Sequence, residues 1–511
     1  MPSFKDAKPQ ISLRLYKTID RKTIDGKKAV SSRYEGREAF IDLTHFLGDG
    51  SSVTTTKGIR EPAGAFSITF SDQPQVSSGL SGDVVTKALE SIYGLVEPMD
   101  MIEIRMWKGV GVWPKGKPYP IKMRGFVSKV GRGMAMGPNG IPARTVSISG
   151  QDYGKIWQMY QVLYLRAYDA SAAYLTAYNM FEKFGIQATN VLKSSEYIKL
   201  LIDKIINPFM DEFVPKNSPM PRSIKTDQFI LVKHGVINGG YQSAQGSLYE
   251  LAKMYGDVGV WNELYIEDKS DGVHVVYRPI PAMHISKPDG AKSYMIQDDA
   301  PEPIYNDILD DDLVSISSER SDDNVANFFW VNNQKYDLID DIYRKLFAVQ
   351  AGQVSTGGYA NSATKYYGVR PMYSETNQGA DLTYSESGGL PADKQESRSI
   401  DTESWIDNRR RLMIEMNKDN VVFEQGSARI KGGLMRADNE EHIKAGDYAK
   451  FKIGAMEYTA YITQIVDEFV PFQSYIATIT YERGQGFVTR SAMESGKQSP
   501  WLAEQATRKG S

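Results

Sequence analysis

The sequence predicts a mainly β chain with α insertions (α+β), built around two antiparallel β-barrel domains and a helical middle domain. Three observations predict it. Short runs toward both ends alternate apolar and polar residues with the period of two that a half-buried strand requires. Between Asp152 and about Gly256 the apolar period lengthens to that of a helix. The run AYITQI beginning at Ala460 repeats, in order, the chemical characters of GFVSKV beginning at Gly125.

In chain order, Ile11, Leu13 and Leu15 alternate with Ser12 and Arg14, and AFIDL at 39–43 and AFSITF at 65–70 repeat that alternation. Val84, Val85, Ala88, Leu89 and Ile92 share one helical face, with Asp83 placed to cap its start and Gly94 to end it. Strands follow at DMIEIRMW, IKMRGFVSKV and RTVSISG, finishing near Gly150. The helical stretch then offers one stripe in Ile156, Trp157, Tyr160, Leu163 and Tyr164, and another in Tyr174, Leu175, Tyr178 and Phe181. EYIKLLIDKIINPFM supplies a third helix that Pro208 should end. Ser247 and Glu250 have capping-box spacing ahead of Leu251, Ala252 and Tyr255. The aromatic stripes read as packed core.

After Gly256, VWNELYIEDKSDGVHVVYRPIP predicts a hairpin turning at Lys269–Gly272, and LVSIS and ANFFWV predict further strands. Residues 350–399, rich in Gly, Ser, Tyr and Asn, show neither period and read as a long loop or partly disordered insertion. A helix around Trp405–Met416 precedes a second β-rich run, VVFEQGSARIKG through YIATITYERG, and a polar, flexible tail from Thr489. The expected domains are 1–155 (first barrel), 156–256 (helical or mixed), 257–488 (second barrel with its insertion at 350–399) and 489–511 (tail).

Composition narrows the function classes. The 511 residues are 41% hydrophobic and 24% charged, enough for several domains with a sizeable core. A net charge of -3 gives no support to chain-wide binding of nucleic acid or membrane surface. With no cysteine, disulfides, thiolate nucleophiles and sulfur-ligated zinc are excluded. His45, His234, His274, His284 and His442 do not pair at a metal-binding helical spacing. The N-terminus lacks the apolar stretch of a secretion signal and no run is long enough to span a bilayer, so a chain made in the cytoplasm that stays soluble or joins an assembly is expected.

The repeat extends beyond one strand. With Asp100 set beside Asp447, Ile102, Ile104 and Met106 fall on Ala449, Phe451 and Ile453, and Glu103 and Arg105 fall on Lys450 and Lys452. Phe126, Val127 and Val130 match Tyr461, Ile462 and Ile465, and Thr145–Ile148 match Thr478–Tyr481. Any two antiparallel meanders alternate, but agreement over three successive strands and their entry turn argues for two copies of one module. Three chains with two such modules each would form a ring of six near-equivalent positions, an adaptor between six-fold and three-fold partners.

Three stretches resemble the baseplate hub protein of contractile-tailed bacteriophages, a family related to the base of type VI secretion spikes. They are TTTKGIREPAGAFSITFSD at 54–72, NELYIEDKSDGVHVVYRPIP at 262–281 with Arg278–Pro279, and the closing barrel with Gly446–Asp447 at its turn and Arg483–Gly484 at its end. The resemblance implies two tail-tube-like barrels in a homotrimeric structural virion protein of the tail baseplate, assembled in the host bacterial cytoplasm. Implied partners are the tail tube protein ring, a trimeric spike protein, surrounding baseplate wedge proteins, and the tape measure protein and transiently DNA in a central channel. The insertion at 350–399 matches nothing in the family pattern.

No residue is assigned a catalytic, cofactor-binding or metal-ligating role, and no enzyme activity is expected. GVWPKGK at 111–117 has phosphate-loop spacing, but Pro118 stands where Ser or Thr would bind magnesium and Pro114 removes a backbone donor. Asp307, Asp310, Asp311 and Asp312 lack a calcium-loop pattern and read as a solvated face or, in the channel arrangement, as a lining that repels phosphate. Arg409, Arg410 and Arg411 beside Trp405 read as a subunit-interface salt bridge or an exposed helical face. Alternatives of other classes are a peptidoglycan hydrolase in a phage tail tip, or the hub of a non-contractile tail or secretion spike. Glu182, Glu196, Asp203, Asp211 and Glu212 in the helical stretch show no hydrolase motif.

Overall fold

The computed structural model describes residues 9–18, 40–71, 92–109, 116–136, 142–162, 192–216, 218–233, 235–237, 246–280, 303–333, 360–379, 405–410, 412–414, 416–418, 420–436, 441–453 and 456–485. Alternation near the N-terminus builds strands β1 (Gln10–Tyr16), β2 (Ser52–Gly58), β3 (Ala65–Ser71), β4 (Met101–Trp107), β5 (Ile121–Met136) and β6 (Pro142–Asp152). In β3, Phe66, Ile68 and Phe70 are buried while Ala65 and Ser67 are exposed, as the pleat requires. AFIDL contributes only the two-residue strand Ile41–Asp42. The next elements are the hairpin β7 (Asn262–Lys269) and β8 (Gly272–Pro279), then β9 (Tyr305–Leu309), β10 (Leu313–Glu319), β11 (Phe328–Asn333) and β12 (Pro371–Thr376). Strands β13 (Glu424–Lys431), β14 (Tyr448–Ile453), β15 (Met456–Val470) and β16 (Ser474–Gln485) close the described chain.

Thirteen strands form one sheet in the order β10-β13-β16-β15-β2-β3-β6-β5-β4-β1 and Ile41–Asp42, with β14 against β15 and β9 against β14. The expected two barrels are therefore halves of a shared sheet. The join is β15 against β2, with Ile465 opposite Lys57 and Phe469 opposite Val53.

Within each half the strand order repeats. Met101 and Ile102 face Phe126 and Gly125, while Tyr448 and Ala449 face Tyr461 and Ala460. A bulge interrupts the next pairing at the same place in both copies, between Val127 and Lys129 and between Ile462 and Gln464. Beyond it, Val130 faces Ile148 and Ile465 faces Ile479. Ile148 thus corresponds to Ile479, two residues from the match to Tyr481 that the sequence suggests. A slip of two keeps every side chain on its face, so alternation alone cannot detect it. Outside this shared order the halves differ, since β1 is antiparallel to β4 whereas β9 is parallel to β14.

A first group of helices packs against the β7–β8 hairpin. In α1 (Gly154–Met159), Ile156 and Trp157 are buried, and the chain is extended again at Tyr160. Helix α2 (Ser194–Leu201) continues through a π turn, Ile202–Ile206, into α3 (Asn207–Phe213). Pro208 does not end the helix. It sits in the first turn of α3, directly after a wide turn in which the Asn207 amide bonds to the Ile202 carbonyl, so the missing proline donor interrupts nothing. Helix α4 (Leu248–Tyr255) starts on the expected capping box, with the Ser247 amide donating to Glu250 at 2.8 Å and the Glu250 amide donating to Ser247 Oγ at 3.2 Å. These helices share one apolar cluster with Phe126, Leu264, Val275 and Tyr277.

The segment 350–399 is structured where it is described. Thr364–Tyr367 is a short helix, β12 pairs in parallel with β11, and Gln378–Gly379 pairs with Val236–Ile237. The alternation of β12 is hidden because its buried positions are the polar Ser374 and Thr376, whereas Tyr373 points to solvent. The helix near residue 92 runs over Ile92–Leu95, past Gly94. Residues 84–91, Leu163, Tyr164, the Tyr174–Phe181 stripe, Glu182, His234, His284, Arg411, most of 110–116 and the tail from Thr489 lie outside the described residues.

Candidate functional site

The fold brings charged side chains together at the entry turn of each module and along the seam between the two halves. Each module opens on a buried aspartate. The Asp100 carboxylate accepts from the Glu97 amide at 2.9 Å, and that of Asp447 accepts from the Lys444 amide at 3.2 Å. Each residue's carbonyl then receives the matching amide of the next long strand, Val127 N–H on Asp100 and Ile462 N–H on Asp447. The residues before them, Met99 and Gly446, both have φ in the left-handed region, at 73° and 91°. Burial pushes both carboxyls up, and a cation opposes this in each copy: Lys17 at 2.6 Å from Asp100 and Arg436 at 2.7 Å from Asp447.

Three further groups pin the modules to each other and to the β7–β8 hairpin. Lys57, on the seam strand β2, reaches Asp152 at 2.8 Å and Asp268 of the hairpin at 2.6 Å. Burial works against the Lys57 ammonium, but the two carboxylates outweigh it and raise its pKa. Lys122 of the first module pairs with Asp467 of the second at 2.9 Å, and the Tyr475 hydroxyl donates to the same aspartate at 3.0 Å. Lys444 joins Glu267 at 2.7 Å and Glu441 at 2.8 Å. Burial would raise the Glu267 carboxyl, yet Lys444 and Lys269 hold it at about 2.

Arg278, from the Arg278–Pro279 pair, donates to Glu263 at 2.9 Å and to the Gly446 carbonyl at 3.0 Å. A Cβ at Gly446 would come within 2.5 Å of that guanidinium. Beside this network His442 is buried, with Nε2 3.0 Å from the Met106 carbonyl. Burial and the nearby Lys122 push its pKa well below the ordinary histidine value.

The residues singled out in the sequence are dispersed. Asp307 pairs with Lys452 at 2.5 Å, and Asp310–Asp312 form a turn between β9 and β10 in which Asp310 and Asp311 are exposed and Asp312 is half-buried. Arg409 and Arg410 do not form an exposed face. Arg409 is buried with its guanidinium 4.3 Å from the Trp405 ring centre, and Arg410 is buried and paired with Asp407. A cleft of about 600 Å³ is lined in part by Arg60, Glu263, Glu482 and Arg483, but Glu263 is engaged by Arg278 and Glu482 by Arg60 at 2.5 Å. Among the described residues no cluster of three His, Asp or Glu side chains could hold a metal, and no helix is long and apolar enough to cross a membrane. The seam pairs escaped sequence reading because their members are far apart in the chain, 211 positions for Lys57 and Asp268.

No family model and no curated protein matches the chain. Solved structures similar to it are phage-type tail proteins and type VI secretion proteins. One is the 43 kDa tail protein of prophage MuSo2 from Shewanella oneidensis, at 10% identity and a TM-score of 0.41, covering 95% of this chain and 98% of that one. Another is a tail protein from Neisseria meningitidis MC58, at 9% identity and a TM-score of 0.41, covering 93% and 96%. A third is the E. coli c3393 protein, a component of the type VI secretion system, at 6% identity and a TM-score of 0.32, covering 85% and 73%.

Proposed function

We propose that the chain is a structural tail protein, a trimeric baseplate hub whose two tube-like modules present six near-equivalent positions to a six-fold tail tube and three-fold contacts to a spike. The observation that carries this is the duplicated module: the same strand order, the same bulge and the same buried entry aspartate occur twice in one sheet. Two like modules fixed side by side, repeated by three-fold rotation, make a ring of six. The ion pairs at the seam suit this role, because they set the angle between modules and occupy the buried carboxylates that an acid–base catalyst would need free.

In this role the protein belongs to the virion, joins the tube, spike and wedge proteins after assembly in the host cytoplasm, and lines a channel for tape measure and genome. No catalytic step is assigned to it. Sedimentation equilibrium should give three times the 57.2 kDa chain mass for the purified chain, or that mass plus the mass of the bound spike when the trimer assembles with its spike partner. An obligate monomer under both conditions would remove the proposal.

A further inference from the structure

Strand β15 does two jobs. Its first part pairs with β14, and residues 464–469 pair with β2 of the other module. There Phe469 and Tyr475 enter the first module's core, and Phe469 is only 5% exposed. The counterpart of β15 is β5, whose first part pairs with β4 in the same way. Residues 129–136 of β5 have β6 on one side and, among the described residues, no strand on the other. Met134 stands where Phe469 stands in the other copy, yet it is 70% exposed, and Met136 is 71% exposed.

The counterpart of β2 is likewise open. Val53 lies opposite Ile68, which lies opposite Ile148; Ile316 lies opposite Ala428, which lies opposite Ile479. Ile316 is therefore the equivalent of Val53, and SISSER at 315–320 reads as SVTTTK at 52–57. Strand β10 pairs with β13 and, among the described residues, with no other strand.

We infer that β5 of one copy of this chain pairs antiparallel with β10 of the next copy, in the register that β15 and β2 show within the chain. Carried over, Phe469 opposite Val53 becomes Met134 opposite Ile316, and Asp467 opposite Thr55 becomes Arg132 opposite Ser318. Beyond that pair β10 bulges between Leu313 and Ser315, and Leu313 shares with Ile316 the face along which Met136 lies. On the other face Lys129 lies diagonal to Glu319, within reach of an ion pair. Solvated edge strands are normally guarded by charged side chains, prolines, bulges or a covering element. Here Met134 and Met136, with Arg132 beside them, and Ile316 with Leu313 occupy the face that is core in the internal precedent. The contact is heterologous, different surfaces on the two copies, so it closes into a ring when the rotation between modules allows it. This rests on the ring reading above and deepens it by naming the partner strand.

Because the chain has no cysteine, crosslinking tests this directly. Full-length Met134→Cys and Ile316→Cys are made separately and as a double variant, then treated with a short bismaleimide. The expected result is no crosslink in either single variant, covalent dimers when the two are co-assembled, and a ladder ending at the ring size in the double variant. Oligomers of ring mass without these crosslinks would overturn the strand pairing and leave the ring reading standing. A crosslink in either single variant alone would show a symmetric contact and also overturn it. A folded monomer by melting and mass would overturn both. Met134→Glu, on an exposed position, should keep the melting temperature and lower the oligomer fraction at least tenfold; an unchanged fraction counts against the pairing.

Discussion

Replacing Lys57 by Met probes the seam where its geometry is most demanding. In the native protein one ammonium serves Asp152 at 2.8 Å and Asp268 at 2.6 Å, and both carboxylates are 2% exposed. Methionine keeps most of the stem's packing but leaves two buried like charges facing each other. Breaking a buried pair costs about 3–5 kcal/mol. Lys57 retains 23% of its side-chain surface in solvent, which places the expected loss near the lower bound, about 3 kcal/mol.

The pH dependence follows from sign. Burial already holds the Asp152 carboxyl above its unfolded value of about 3.9, and removing the ammonium that opposes burial raises it further. The folded state then binds more protons than the unfolded state as pH falls toward that value, so the deficit is largest near neutral pH and shrinks toward pH 4. Urea unfolding of wild type and variant between pH 4 and 8 measures both quantities, and adding Asp268→Asn to the variant should recover part of the loss. A deficit under 1 kcal/mol, or one of the same size at every pH, would refute the reasoning.

Phe469→Ala removes the ring that the second module inserts into the first module's core and should cost about 3 kcal/mol in the same urea experiment. His442 has a folded pKa below its unfolded value of about 6.5, so the unfolded chain takes up the proton first and stability falls as pH drops below 6.5, by at most about 1.4 kcal/mol per pH unit. His442→Gln should flatten the melting temperature between pH 6.5 and 5, where Glu267, held at about 2, has not begun to lose its contribution. Gly446→Ala sets a Cβ against Arg278 at a φ of 91° and should lower stability by about 1–3 kcal/mol, read as a drop in melting temperature.

How much of this was legible in the sequence depends on the range of the interaction. The module is written locally, in side-chain alternation and in the placement of Asp100 and Asp447, so the sequence pairs Phe126 with Tyr461 and Gly125 with Ala460, as the registers do. The third strand slips by two because a period of two conceals that slip. Pro208 misleads because a π turn ahead of it cannot be read from residue types, and β12 is missed because Ser374 and Thr376 take its buried positions. The seam was illegible for another reason. Lys122 and Asp467 lie 345 positions apart, and nothing local to either announces the other. The open edges of β5 and β10 become meaningful only once β15 on β2 shows what such edges do.

Electron-microscopy averages of the assembled oligomer, viewed down its axis, test the central claim most directly. A closed ring of six evenly spaced densities is expected, alternating in detail so that strict symmetry is three-fold. Three isolated lobes, an open chain of subunits, or modules at unequal radii would contradict it.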